Sequence, residues 1–290
     1  MRKFLKWTGI ILGVAVLVLF LAGTGLVLST NARLNKVYTI QVEAVSIPTD
    51  AASLERGEHL VSIYCSGCHG ENFGGKEFFN DPALAIVDAA NLTNGKGGVG
   101  NYYTDEDWVR TIRHGVKPDG RSIFVMPSSD FYYFSDNDLG QVIAYLKTLP
   151  PVDREATTLQ TGLMGKVLTG LGLLGDVFPA ENIPHDIRPE SVPVSDSAEY
   201  GEYLTKTFGC QTCHGENYAG GQSPEPGAPP GPNLTPGGNL ANFTDEVFIN
   251  FIRARQSEFM PFESLGKMND EELTAIWLYL QSLPESETND

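Results

Sequence analysis

Positive charge is scarce in this chain of 290 residues: 20 Lys and Arg stand against 36 Asp and Glu, a formal charge of −16. That shortage argues against a nucleic-acid binder and favours solubility and attraction of basic partners. Cysteine is scarcer still. The four cysteines all fall in two pentapeptides, leaving none for a structural disulfide or a separate all-cysteine metal site. Methionine and histidine number five each. Only one long apolar run is free of interruption, and it lies at the N-terminus. A hydrophobic content of 41% supports real cores, and the length suits about two domains.

The pentapeptides are Cys65-Ser66-Gly67-Cys68-His69 and Cys210-Gln211-Thr212-Cys213-His214. Two thiols three positions apart at a helix start can bond to both vinyl groups of one haem, and the next residue presents an imidazole to the iron. Cys-x-x-Cys-His is the attachment signature of c-type haem. A thioredoxin-like redox pair or half of a zinc site also begins with Cys-x-x-Cys. Neither explains a His directly after both copies, or a Met-Pro downstream of each. Two covalently attached haem c groups are therefore expected, one on Cys65 and Cys68, the other on Cys210 and Cys213.

Arg2, Lys3 and Lys6 precede Thr8–Leu28, 21 residues without a charge. At ~1.5 Å per residue this spans a ~30 Å hydrocarbon core. The basic flank places the N-terminus in the cytoplasm and the rest on the exported side of a bacterial membrane, where haem c is attached. A cleaved signal peptide would have a shorter apolar core, and Val27 to Ala32 is a poor cleavage site. Residues 1–30 are expected to be an uncleaved transmembrane anchor, and 31–52 a polar tether.

Helical spacing then predicts Ser53–Tyr64, leading into the first motif. Residues 76–103 read as loop. Thr104-Asp105-Glu106 caps a helix that stops at Gly115, and Ser135-Asp136 caps a last helix running to Leu149. The order recurs: a helix over 198–208, the second motif, Asn233-Leu234-Thr235 for Asn91-Leu92-Thr93, Thr244 for Thr104, Met260-Pro261 for Met126-Pro127. The offset falls from 145 at the cysteines to 134 at the methionines, so the shortening lies in loops between elements that stay in register. Two tandem modules follow, over 53–151 and 196–286. Between them, 152–195 reads as a glycine-rich apolar strap packed on the modules, and 287–290 as an acidic tail.

This pattern resembles class I, mitochondrial-type cytochrome c domains. It is similar to the tandem modules of bacterial membrane-anchored dihaem cytochromes c, and to the multihaem cytochrome subunits of membrane-bound alcohol and sugar-acid dehydrogenases. The resemblance implies an all-α fold, two tandem class I cytochrome c domains plus an N-terminal transmembrane helix, each domain wrapped round one haem. His69 and His214 would be the proximal iron ligands, and Met126 and Met260 the distal ones; the other methionines, Met1, Met164 and Met268, have no matching partner. Pro232 would accept a hydrogen bond from His214, with Ala90 at the aligned position of the first module. Arg113 and Arg253 are candidates for haem propionates, or else are solvated helix arginines. Gly57 and Gly201 would let the first helix of each module cross the last near Tyr145 and Tyr279. His114 is an alternative sixth ligand, but it aligns with Ala254 and so reads as a surface or propionate-side residue. His59 and His185 read as exposed or structural.

Two axial side chains leave no place for a substrate on the iron. The expected role is one-electron transfer without catalysis, in a respiratory-type chain, between redox proteins such as a dehydrogenase, a quinol-oxidising complex, an oxidase or a soluble carrier. A dihaem peroxidase and a haem-based redox or gas sensor are the alternatives.

Overall fold

The N-terminal apolar run forms one helix, α1 (Arg2–Leu34), whose apolar side chains face outward almost throughout. This computed structural model describes residues 2–188, 191–223, 227–257 and 259–288; of the expected acidic tail, 289 and 290 lie outside them. α1 is long and apolar enough to cross a membrane.

Beyond α1 the helices are α2 (Ala51–Tyr64), α3 (Ser66–His69), α4 (Asp105–His114), α5 (Ser128–Phe131), α6 (Asp136–Leu146) and α7 (Leu163–Gly170). Then come α8 (Ala198–Thr207), α9 (Gln211–His214), α10 (Asp245–Ala254), α11 (Phe262–Leu265) and α12 (Asp270–Ser282). The local reasons are legible. Thr104 and Asp107 form a reciprocal capping box at α4, and Gly115 ends it in the left-handed region at φ 62°. Ser135 caps α6, and Asn269 with Glu272 boxes the start of α12.

Two apolar clusters organise these helices. One gathers Leu60, Val61, Trp108, Ile112, Leu139 and Ile143 from α2, α4 and α6. The other gathers Tyr200, Leu204, Phe248, Leu273 and Ile276 from α8, α10 and α12, with Met268 buried among them. In each, the first helix crosses the last at a glycine. A Cβ on Gly57 would strike the Gln141 carbonyl and lie 2.9 Å from Tyr145 Cβ; on Gly201 it would strike the Ala275 carbonyl and lie 2.8 Å from Tyr279 Cβ. Only a missing side chain permits that approach.

Three features depart from the sequence reading. Part of the expected loop 76–103 is a hairpin, β1 (Glu77–Asp81) with β2 (Ala85–Asp88), extended by β3 (Gln160–Thr161) into a small antiparallel sheet. The Asp81 carboxylate turns it by accepting from Ala83 N–H at 2.8 Å. The expected polar tether is docked: Val42, Val45 and Ile47 pack on the first cluster, and Glu43 pairs with Arg113. The strap is split. α7 packs along α1, whereas Val177 and Phe178 are buried.

Candidate haem sites

Each Cys-x-x-Cys-His motif lies on one helical turn immediately after a longer helix. His69 N–H bonds Cys65 O at 2.9 Å, and His214 N–H bonds Cys210 O at 3.0 Å. That turn brings the two sulfurs of a motif to one face. Both turns end at a glycine of the same unusual conformation, Gly70 (φ 79°, ψ 161°) and Gly215 (φ 79°, ψ 159°). Phe73 and Tyr218 then both take positive φ, 56° and 59°. Strain shared at matched positions marks one backbone design used twice.

The imidazoles are fixed from behind. His69 Nδ1 lies 2.7 Å from Ala90 O, and His214 Nδ1 lies 2.9 Å from Pro232 O. A carbonyl can only accept, so Nδ1 carries the proton and Nε2 keeps its lone pair, as an iron ligand requires. Burial first, against the help of these carbonyls, holds both histidines below their ordinary pKa and so neutral. The carbonyls are held in turn. Leu92 N–H bonds Phe73 O and Leu234 N–H bonds Tyr218 O. Asn91 folds back on Thr93 and donates to Val152 O at 2.6 Å; Asn233 folds back on Thr235 and donates to Ser286 O at 2.9 Å. The Asn-Leu-Thr stretches thus clamp the chain that leaves each last helix.

Met126 packs against the first cluster and Met260 against the second. Both precede a proline at nearly identical angles, Pro127 (φ −78°, ψ 53°) and Pro261 (φ −77°, ψ 59°), which opens a one-turn helix. Val125, just before Met126, sits at φ 71°, a region a β-branched residue rarely occupies, with its N–H on Val177 O at 3.1 Å. The buried part of the strap therefore helps to set the Met126 loop.

These residues fit covalently held haem c: paired thiols on one turn, a neutral imidazole with a free Nε2, and a methionine in each apolar cluster. They do not fit a redox-active dithiol. Burial pushes the Cys65 and Cys210 thiols up to about 12, opposite to a reactive thiolate. Among the described residues no group of three or more His, Cys, Asp or Glu side chains is placed to hold a metal ion.

Protein carboxylates engage both candidate arginines. Arg113 is buried, with its guanidinium on Glu43, Asp136 and the Phe134 carbonyl. Arg253 pairs with Asp270, the counterpart of Asp136. His114 is buried rather than at the surface, and both ring nitrogens are engaged, by His185 at 3.0 Å and Glu43 at 2.9 Å. His59 bonds Glu272 at 2.7 Å.

The two sites face one another. Lys267, just past α11, reaches Ser66 Oγ in the first motif at 2.8 Å, and Ser264 Oγ lies 3.4 Å from where a Gly67 Cβ would be. Reciprocally, a Cβ on Gly209 beside the second motif would strike the Asp130 carboxylate of α5. Each methionine loop thus lies on the other site's cysteine motif. Tyr64, just before the first motif, and Phe208, two residues before the second, meet at 5.7 Å between ring centroids. No sequence pattern announced this, because the two loops belong to different repeats.

Comparison with known proteins agrees. The family model described as cytochrome c oxidase, cbb3-type, subunit III matches residues 52–146 and 196–280. The chain is 27% identical over 181 residues to the fructose dehydrogenase cytochrome subunit of Gluconobacter japonicus, covering 58% of this chain and 36% of that one. It is 27% identical over 174 residues to the cytochrome c subunit of a quinone alcohol dehydrogenase from Gluconobacter oxydans, covering 57% and 35%. It is 25% identical over 268 residues to the gluconate 2-dehydrogenase cytochrome c subunit of Pantoea cypripedii, covering 80% and 60%. The chain spans about a third of the length of the first two. All three relatives are cytochrome subunits of dehydrogenases. With more than half its length matched and the motif geometry intact, the chain belongs to the cytochrome c family of cbb3-type oxidase subunit III.

Proposed function

We propose that this protein is a membrane-tethered dihaem cytochrome c that passes single electrons between redox proteins. The duplicated site carries the reading: two Cys-x-x-Cys-His turns, each with its histidine fixed by a main-chain carbonyl. Cys65 and Cys68, and Cys210 and Cys213, would hold two haem c groups; His69 with Met126 and His214 with Met260 would ligate the irons. Haem c supplies one-electron Fe(III)/Fe(II) chemistry, and methionine ligation favours the reduced iron. The two domains are 53–151 and 196–286, and α1 anchors them in the cytoplasmic membrane on the exported side. The tether packing and the strap hold the first domain against its anchor. By analogy with the relatives, the donor is a dehydrogenase or a quinol-oxidising complex, and the acceptor an oxidase or soluble carrier. The names of the relatives, alcohol and sugar or sugar-acid dehydrogenase subunits, favour a dehydrogenase as donor.

A redox titration followed by visible spectra, with a haem assay per chain, tests this. Two low-spin haems are expected. One haem, or a high-spin iron that binds cyanide and turns over peroxide, would overturn it.

A further inference from the structure

α7 runs antiparallel along the end of α1. Thr30 Oγ1 donates to Lys166 O at 2.8 Å, and a Cβ on Gly170 would lie 3.0 Å from Leu26 Cβ. Four residues forward on α7 thus match four residues back on α1, a descent of ~6 Å. The chain then turns at Leu171-Gly172-Leu173-Leu174 and climbs back. Phe178 lies under the Arg33 guanidinium at 4.5 Å, and Glu181 pairs with Arg33 at 2.7 Å. Residues 163–178 therefore dip beside the apolar helix, and the tip reaches at least the level of Leu26, inside the uncharged run.

The tip has the composition and the backbone for that depth. From Val167 to Gly175 there is no charge; Lys166 and Asp176 bracket the stretch. Leu171 is 54% exposed and Leu173 60%. Gly172, at φ 74°, closes α7 so that the N–H groups of Leu171, Gly172 and Leu173 bond Val167, Thr169 and Leu168 carbonyls at 3.0 Å each. Backbone donors satisfied within the segment are what a hydrocarbon environment demands.

We infer that the tip around Leu171 and Leu173 inserts into the outer leaflet of the bilayer beside α1, a second membrane contact that fixes the orientation of the haem domains. This rests on the reading of α1 as a membrane helix. Continuity with α1 selects lipid as the occupant.

The test is photo-crosslinking of the full chain in phosphatidylethanolamine and phosphatidylglycerol liposomes. p-Benzoylphenylalanine replaces Leu173 in one variant, Leu171 in a second, Leu17 of α1 in a third and the exposed Tyr102 in a fourth; retained haem absorbance reports folding. Lipid adducts are expected at the two tip positions and Leu17, with none at Tyr102. Adducts at Leu17 without adducts at either tip position would overturn the inference and leave the anchor standing. Adducts at none would overturn both. A crosslinked dimer at the tip in place of lipid adducts would assign it to a second copy of the chain and overturn the inference.

Discussion

The Arg56 guanidinium donates to Glu272 at 2.6 Å, joining α2 of the first apolar cluster to α12 of the second. It donates also to Tyr200 OH at 2.6 Å and lies 3.8 Å from Asp138. Glu272 is fully buried, and its other oxygen takes His59. A buried ion pair adds little net stability, but removing one partner strands the other. Arg56→Ala is therefore expected to destabilise the protein by about 3–5 kcal/mol. Calorimetry should show one unfolding transition resolving into two as the clusters uncouple. An unchanged single transition would refute the coupling.

Glu43 gives a pH signature. Burial works against its charge, but hydrogen bonds from His114 and Arg113 outweigh that and hold the carboxyl down at about 2. A depressed carboxyl stabilises the fold above its ordinary pKa, and the contribution is lost as pH falls through the folded value. The loss should thus occur between about pH 4.5 and 2. Glu43→Gln should lower stability at pH 7 by ~3 kcal/mol and flatten this part of the acid-unfolding curve. An unaltered acid limb would count against the pairing.

Asp130 behaves in the opposite sense. Burial, then the charge of Asp176, pushes its carboxyl up to about 7. A raised carboxyl contributes stability that disappears as pH rises through the folded value. Asp130→Asn should raise the melting temperature at pH 8 and leave it nearly unchanged at pH 3, below both values. Equal effects at both pH values would contradict the assignment.

The crossing glycines admit no substituent. Gly201→Val and Gly57→Val should each cost about 3 kcal/mol, the upper end for overpacking, by driving α8 from α12 or α2 from α6. Thermal melts and haem retention would report it; tolerance would mean the helices lie farther apart.

The proposed role of Met126 and Met260 as distal ligands predicts spectra. Met126→Ala should change one haem's ligation, seen as loss of part of the long-wavelength methionine–iron band and a lower potential for one of two waves; Met260→Ala should change the other. No spectral change in either variant would remove both residues from the iron.

Local chemistry made much of this legible. Thr104, Ser135 and Gly115 act within a few residues of their own position, and Met126-Pro127 and Met260-Pro261 announce their loops in adjacent residues. What could not be read was non-local. Arg56 and Glu272 are 216 positions apart. Glu43 lies in the stretch read as a polar tether, and its partners, Arg113 and His114, come from α4. The hairpin over 77–88 was obscured because its exposed Phe78 and Phe79 imitate no clean alternation. Arg113 is a further case: its type suits a propionate, and only the fold shows Glu43 and Asp136 on its guanidinium.

The reciprocal seating of the methionine loops also bears on whether either half could stand alone. Lys267 rests on the first cysteine motif and Asp130 against the second, so each half presents a surface shaped by its twin. Removing either half alone would bare the face that the other covers. Both halves together are the piece that would keep these faces covered.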